Sequence, residues 1–166
     1  FLAGALGEDY EVIVEGLKGR TTVFDDPVKE GMSGLQYLVP CVLSQSPLDL
    51  LLIMLGTNDT KQIYGATAGN IADGMARLIR TAQNTPCWRE KPNILVVSPV
   101  CIGKDYQKGT LGYKYGDGSY EKMIELPHYY QKVAEQFGCG FLDAAQFVTV
   151  NEIDYIHMKE SEQHIF

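Results

Sequence analysis

The sequence predicts an α/β fold in which a parallel sheet carries helices on both faces. Residues 48–55 and 93–98 are nearly unbroken apolar runs, the pattern of parallel strands covered on both sides. Between them, Ile71, Met75, Leu78, Ile79 and Ala82 recur at helical spacing. Alternation of these two patterns indicates strand–helix–strand units rather than an all-β or all-helical chain. No internal repeat or low-complexity segment interrupts it.

The elements follow in order. Residues 1–6 read as the end of a helix closed by Gly7. Residues 10–15 (YEVIVE) alternate apolar and polar groups, as a short strand does. A loop over 16–27 leads to a helix over 33–43 that Pro40 interrupts or kinks. The strand at 48–55 is followed by an amphipathic helix over 66–83 and a strand at 93–98 that Pro99 stops. A long loop rich in glycine and tyrosine, 102–120, precedes a helix over 121–137 ended by Gly138. A short strand at 140–143 comes next, and a final helix beyond His157 carries His164.

At 166 residues the chain fits one domain large enough to bury a substantial core. Its formal net charge is -7, with scattered lysines and arginines, which argues against nucleic-acid and anionic-membrane partners. No apolar run reaches the length of a membrane span, and the opening FLAGALG is too short for a signal peptide and lacks its basic flank. The compartment read from this is the cytoplasm. Cys41, Cys87, Cys101 and Cys139 have neither CxxC nor His/Cys ligand spacing, so reduced, mostly buried thiols are expected and no metal.

Ligands of an open parallel sheet collect beyond the carboxyl ends of its strands. Residues 16–20, 56–60, 99–101 and the chain from Ala144 onward all follow strands, so these segments belong at that edge. Gly56-Thr57-Asn58-Asp59 has two readings. It is a turn with a helix cap, or it aims the uncharged amide donor of Asn58 at an oxygen that becomes negative during acyl transfer. Gly19, in GLKGRTT, could offer a backbone amide to the same oxygen, or the segment is an ordinary loop. It lacks the spacing and lysine of a phosphate-cradling loop. Asp154 and His157 lie three apart, so in a turn the carboxylate can orient the imidazole as a general base; such a DxxH pair also arises by chance. His128 and His164 have no such company, and Asp143 reads as a capping residue.

Together EVIVEGLKGRTTVFDDP, PLDLLLIMLGTNDTK, ILVVSP and the DxxH pair resemble the SGNH (GDSL-type) hydrolases, in the family's order and over essentially the whole chain. The resemblance is nearest to the arylesterase and acyltransferase branch. It implies a flavodoxin-like three-layer fold with a parallel sheet of about five strands. It also implies a serine esterase in which Asp154 orients His157 while Gly19 and Asn58 line the oxyanion hole. Short acyl esters, acetyl above all, of aryl or sugar alcohols are the implied substrates. Transfer of the acyl group is a side activity, and no metal or organic cofactor is needed. A non-catalytic binding or assembly protein on the same fold is the alternative, and a nucleotide-binding domain is a weaker one.

The family's GDS nucleophile motif, at the end of its first strand, is absent from the 166 residues. In a 2-1-3-4-5 strand order that first strand lies between two others, and its loss would leave unpaired backbone and a gap in the core. The sequence is therefore read as lacking roughly forty residues at its start, the length of a strand and helix, and as short at its C-terminus. Ser33, Ser44, Ser46, Ser98 and Ser119 have no strand-to-helix elbow and are not read as substitutes. Tyr155 stands where the family usually has glycine, a change that would narrow the site or alter the turn. The 102–120 loop reads as a wall of the substrate entrance, as a contact in a homo-oligomer, or as plain surface.

Overall fold

A computed structural model describes residues 2–165. It holds the α/β fold and the parallel sheet that the sequence predicts; among the described residues the sheet has three strands rather than about five, and its three longest helices pack against one face rather than both. The order is α1 (Leu2–Leu6), α2 (Gly34–Ser44), β1 (Leu51–Ile53), α3 (Ala68–Gln83), β2 (Ile94–Ser98), α4 (Ser119–Phe137) and β3 (Gly140–Asp143), with short 3-10 turns between them. The three strands lie in the order β1-β2-β3 and all pair in parallel, Ile53 opposite Val96 and Ser98 opposite Asp143. Phe1, expected in the first helix, lies outside the described residues.

Strand alternation divides the core in two. Leu51, Ile53, Ile94, Val96 and Phe141 face one side, where they meet α2, α3 and α4. Leu95, Val97 and Leu142 face the other and meet Val148 and Met158 from the segment after β3. Helix α3 starts with a reciprocal capping box between Thr67 and Asn70, and its Ile71, Met75, Leu78 and Ile79 are wholly buried. Side chains of that size each contribute about 1.5–3 kcal/mol on burial. Helix α2 has no side-chain cap at Ser33; instead its first N–H groups, from Gly34 and Leu35, donate to the carbonyls of Thr21 and Thr22.

Five further expectations are corrected. YEVIVE forms no strand: it runs as irregular chain with Tyr10, Ile13 and Val14 exposed, because alternation supplies a face but a strand also needs a partner ladder. The strand at 48–55 shrinks to three residues, and Leu50, Leu52 and Met54 on its second face are exposed rather than covered. Among the described residues no α-helix follows His157; a 3-10 turn, Glu160–Glu162, stands there, and His164 is exposed. The loop after β2 is no plain surface loop, since it winds through two 3-10 turns that bury Tyr106 and Tyr115. Of the four free thiols only Cys87 is buried; the others are half-buried. No helix among the described residues is long and apolar enough to cross a membrane.

Gly56 ends the β1 segment at φ +123°, where a Cβ would lie 2.6 Å from the Tyr130 hydroxyl and 2.9 Å from Leu126 Cδ2. Tyr130, on α4, donates its hydroxyl to the Leu55 carbonyl at 3.0 Å. The turn that carries Asn58 is thus pressed against α4 with no room for a side chain. Gly56→Ala is expected to lower the unfolding free energy by about 3 kcal/mol, combining overpacking with left-handed strain. Urea denaturation of the variant checks this, and an unchanged midpoint would contradict it.

Candidate active site

Three segments carry the residues singled out in the sequence; a hydrogen bond joins the first two, and the loop after β2 runs between the second and third. The first is a tight turn closed by the Arg20 N–H to the Leu17 carbonyl at 3.1 Å, with Gly19 at φ +96°, a conformation glycine adopts without strain. Arg20 is fixed by its guanidinium, which donates to the Glu15 carbonyl at 2.7 Å and lies over the Tyr37 ring. Among the described residues, the Gly19 N–H has no acceptor.

The second segment is the 3-10 turn Asn58–Thr60, packed between α3 and α4. Asn58 Nδ2 donates to the Arg20 carbonyl at 3.2 Å, which brings Asn58 and the Gly19 turn together. An amide nitrogen has two N–H groups, so one is left for a ligand. The Thr60 carbonyl accepts from Ser119 Oγ at 3.0 Å and from Lys122 Nζ at 2.9 Å, tying the turn to the start of α4. Asp59 points inward. Its Oδ1 accepts the Thr22 N–H at 2.8 Å and the Thr22 hydroxyl at 2.5 Å, and Oδ2 is buried with no partner among the described residues. Burial, only partly opposed by those bonds, pushes the Asp59 carboxyl up to about 6.

The third segment holds Asp154 and His157, with Asp154 Oδ2 2.7 Å from His157 Nδ1. Burial opposes ionisation of Asp154, but hydrogen bonds from the His157 ring and the His157 and Ile156 backbone outweigh it and bring the carboxyl down to about 2. With Nδ1 held by the carboxylate, Nε2 is the nitrogen free to take a proton. Asn151 frames this turn. Its Oδ1 accepts from the N–H groups of Ile153 and Asp154, and its Nδ2 donates to Asp154 Oδ1 and the His157 carbonyl. Tyr155 adopts φ +59°, so the turn keeps the left-handed shape that glycine favours although the residue is tyrosine. Its ring packs over Gly103, whose N–H donates to the Tyr155 carbonyl at 2.7 Å.

The loop after β2 links the second and third segments. Gly109 lies against the Asp154 backbone, and a Cβ there would come within 2.6 Å of the Asp154 carbonyl. At its other end the Tyr115 carbonyl accepts the Gln62 N–H at 2.8 Å. Burial, and then the Asp154 charge, push the Tyr115 phenol to about 12, while Lys61 Nζ sits 5.5 Å from its ring centre. The loop that carries Tyr115 therefore runs from the Asp154 turn to the chain just after the Asn58 turn.

Of the residues singled out in the sequence, the structure joins Asp154 with His157 and Asn58 with the Gly19 turn. Asp143 caps the turn after β3 through the Ala145 N–H. Among the described residues no serine hydroxyl bonds to His157; those of Ser33, Ser44 and Ser119 donate to backbone carbonyls. Nor does any group of three or more His, Cys, Asp or Glu stand where it could hold a metal ion. Clefts of about 400 Å³ beside Tyr106 and Asp117, and about 230 Å³ near Leu48 and Arg89, are lined by neither His157 nor Asn58. Sequence reasoning gave no part to Asp59, Thr22 or Asn151. The NxxD spacing of Asn151 and Asp154 is a readable turn signal, whereas the Asp59–Thr22 pairing spans 37 residues and leaves no local mark.

The structure thus holds an uncharged amide donor beside a turn whose backbone amide has no acceptor among the described residues, and, on a separate turn, a carboxylate-held imidazole. Comparison places the protein more closely. The chain belongs to the GDSL-like lipase/acylhydrolase family, whose model matches residues 1–161. It is similar to the aryl esterase of M. smegmatis at 35% identity, covering 99% of this chain and 77% of that one with a TM-score of 0.87. It is similar also to a carbohydrate acetylesterase from Sinorhizobium meliloti at 34% identity, covering 97% and 76% with a TM-score of 0.85. Comparison with curated proteins finds no match.

Proposed function

We propose that the protein is a carboxylic ester hydrolase with a Ser-His-Asp mechanism, acting on short acyl esters of aryl or sugar alcohols. The observation that carries this reading is the 2.7 Å contact of His157 Nδ1 with Asp154 Oδ2 in a chain of this family. The serine comes from sequence outside the 166 residues, which hold no GDS tripeptide. His157 Nε2 takes the serine proton as the hydroxyl attacks the ester carbonyl, and returns it to the leaving alcohol. Asp154 holds the imidazole in the required tautomer and stabilises its charged form. The second N–H of Asn58 and the Gly19 N–H donate to the tetrahedral oxyanion. Water activated by His157 then releases the acyl group, and an alcohol in its place gives acyl transfer. No step needs a metal or organic cofactor.

The aryl and sugar alcohols follow the two esterases to which the chain is similar. A binding or assembly protein on the same fold is the second reading, favoured by the lack of a GDS tripeptide in these residues. Sequencing the gene upstream of Phe1 separates the two. The full-length protein is expected to hydrolyse p-nitrophenyl acetate and the 166-residue chain alone to be inactive. Turnover by the purified 166-residue chain would overturn the assignment of the nucleophile, and an inactive full-length protein would overturn the esterase reading.

A further inference from the structure

Asp59 is wholly buried, yet the mechanism above gives it no task. Burying a carboxylate is costly, and a merely structural turn would be served by a neutral residue. What Asp59 touches is informative. Both of its hydrogen bonds go to Thr22, two residues beyond Arg20, and Arg20 in turn receives the side chain of Asn58. A closed ring results, running from Asn58 to the Arg20 carbonyl, along the chain to Thr22, across to Asp59 and back to Asn58. Thr22 has little freedom to leave it. A Cβ on Gly74 of α3 would stand 2.5 Å from Thr22 Oγ1, and the Thr22 carbonyl caps α2 through the Leu35 N–H. The ring is thus anchored to two helices, with the Gly19 turn on one arm and Asn58 on the other.

We propose that Asp59 is a positioning residue that acts through Thr22 to set the spacing between the Gly19 N–H and the Asn58 amide. This rests on the esterase reading, in which those two groups receive the oxyanion. Donors to an oxyanion act in the transition state, and a shift of about 1 Å at such a site costs on the order of 100-fold in rate. Loosening the ring should therefore lower kcat and leave KM nearly unchanged. A merely structural bond would instead lower the fraction of folded enzyme and leave turnover per active site intact.

The test uses the full-length enzyme, with active sites counted by a serine-directed fluorophosphonate. Thr22→Val removes the hydroxyl and keeps the shape, and Thr22→Ser restores the hydroxyl. Asp59→Asn keeps an acceptor oxygen but loses the charge. For Thr22→Val, kcat per titrated site is expected to fall about 10- to 100-fold with KM within about 3-fold. The Ki of a phenylboronic acid transition-state analogue should rise in step with that fall. Thr22→Ser should recover most of the rate and Asp59→Asn should lie between the two. Wild-type kcat per titrated site in Thr22→Val, or a boronate Ki that does not move, overturns the role given to Asp59. A wild-type protein that neither turns over ester nor takes the fluorophosphonate overturns the esterase reading instead. Should Asp59→Asn fail to fold, the two Thr22 variants still decide the matter.

Discussion

In the full-length protein, His157→Ala is expected to lower kcat/KM for p-nitrophenyl acetate by about 10⁴-fold, because in the proposed mechanism one imidazole serves both acylation and deacylation. Its ring is about half exposed, and its Nδ1 is occupied by a carboxylate that is itself held by three further donors. The pair can therefore shuttle a proton at Nε2 without reorganising. Since Asp154 is held down to about 2, it stays ionised through the range in which such an enzyme is assayed. Titration of Asp154 should therefore contribute nothing to the acid side of the rate profile above about pH 4. Asp154→Asn should leave the fold in place and still lose most of the rate, since the amide can favour the wrong tautomer. Wild-type turnover in His157→Ala would remove His157 from the mechanism.

Much of this was legible in the sequence, for reasons that can be named. The buried strand at Ile94–Ser98, helix α3 and the stop at Gly138 are written in local signals, namely an apolar run, a helical apolar period and a helix-ending glycine. Asp154 and His157 are three residues apart, so one turn suffices to join them. YEVIVE misled because alternation is a property of one segment, whereas a strand is a property of two. The exposure of Leu50, Leu52 and Met54 was illegible for the same reason, since an apolar run does not say what covers it. Tyr106 and Tyr115 looked like loop residues among glycines, yet the chain folds back so that the Tyr106 hydroxyl donates to the Gly116 carbonyl at 2.6 Å. The pairing of Asp59 with Thr22 depends on how α2 and α3 pack, which no local pattern records.

Asn58→Ala is expected to lower kcat about 10²- to 10³-fold with a small change in KM, the loss seen when one oxyanion donor is removed. Here the substitution does more than delete a donor, because the same amide also reaches the Arg20 carbonyl. Its removal opens the ring at the point farthest from Asp59 and leaves the Gly19 turn with one tether fewer. The two effects can be separated by a cycle with Thr22→Val. If Thr22 and Asp59 act by holding Asn58 and Gly19 at a fixed spacing, opening the ring at Thr22 should cost little once Asn58 is gone, and the two losses should fall well short of multiplying. Independent effects would multiply instead, and the ring would then be only a feature of the packing. Asn58→Asp sharpens the distinction: in the proposed mechanism it replaces the donor by a negative charge facing the oxyanion, so its rate should lie below that of Asn58→Ala. A rate for Asn58→Asp equal to wild type would mean that no negative charge develops near this side chain, and the oxyanion site would have to be sought elsewhere on the edge of the sheet.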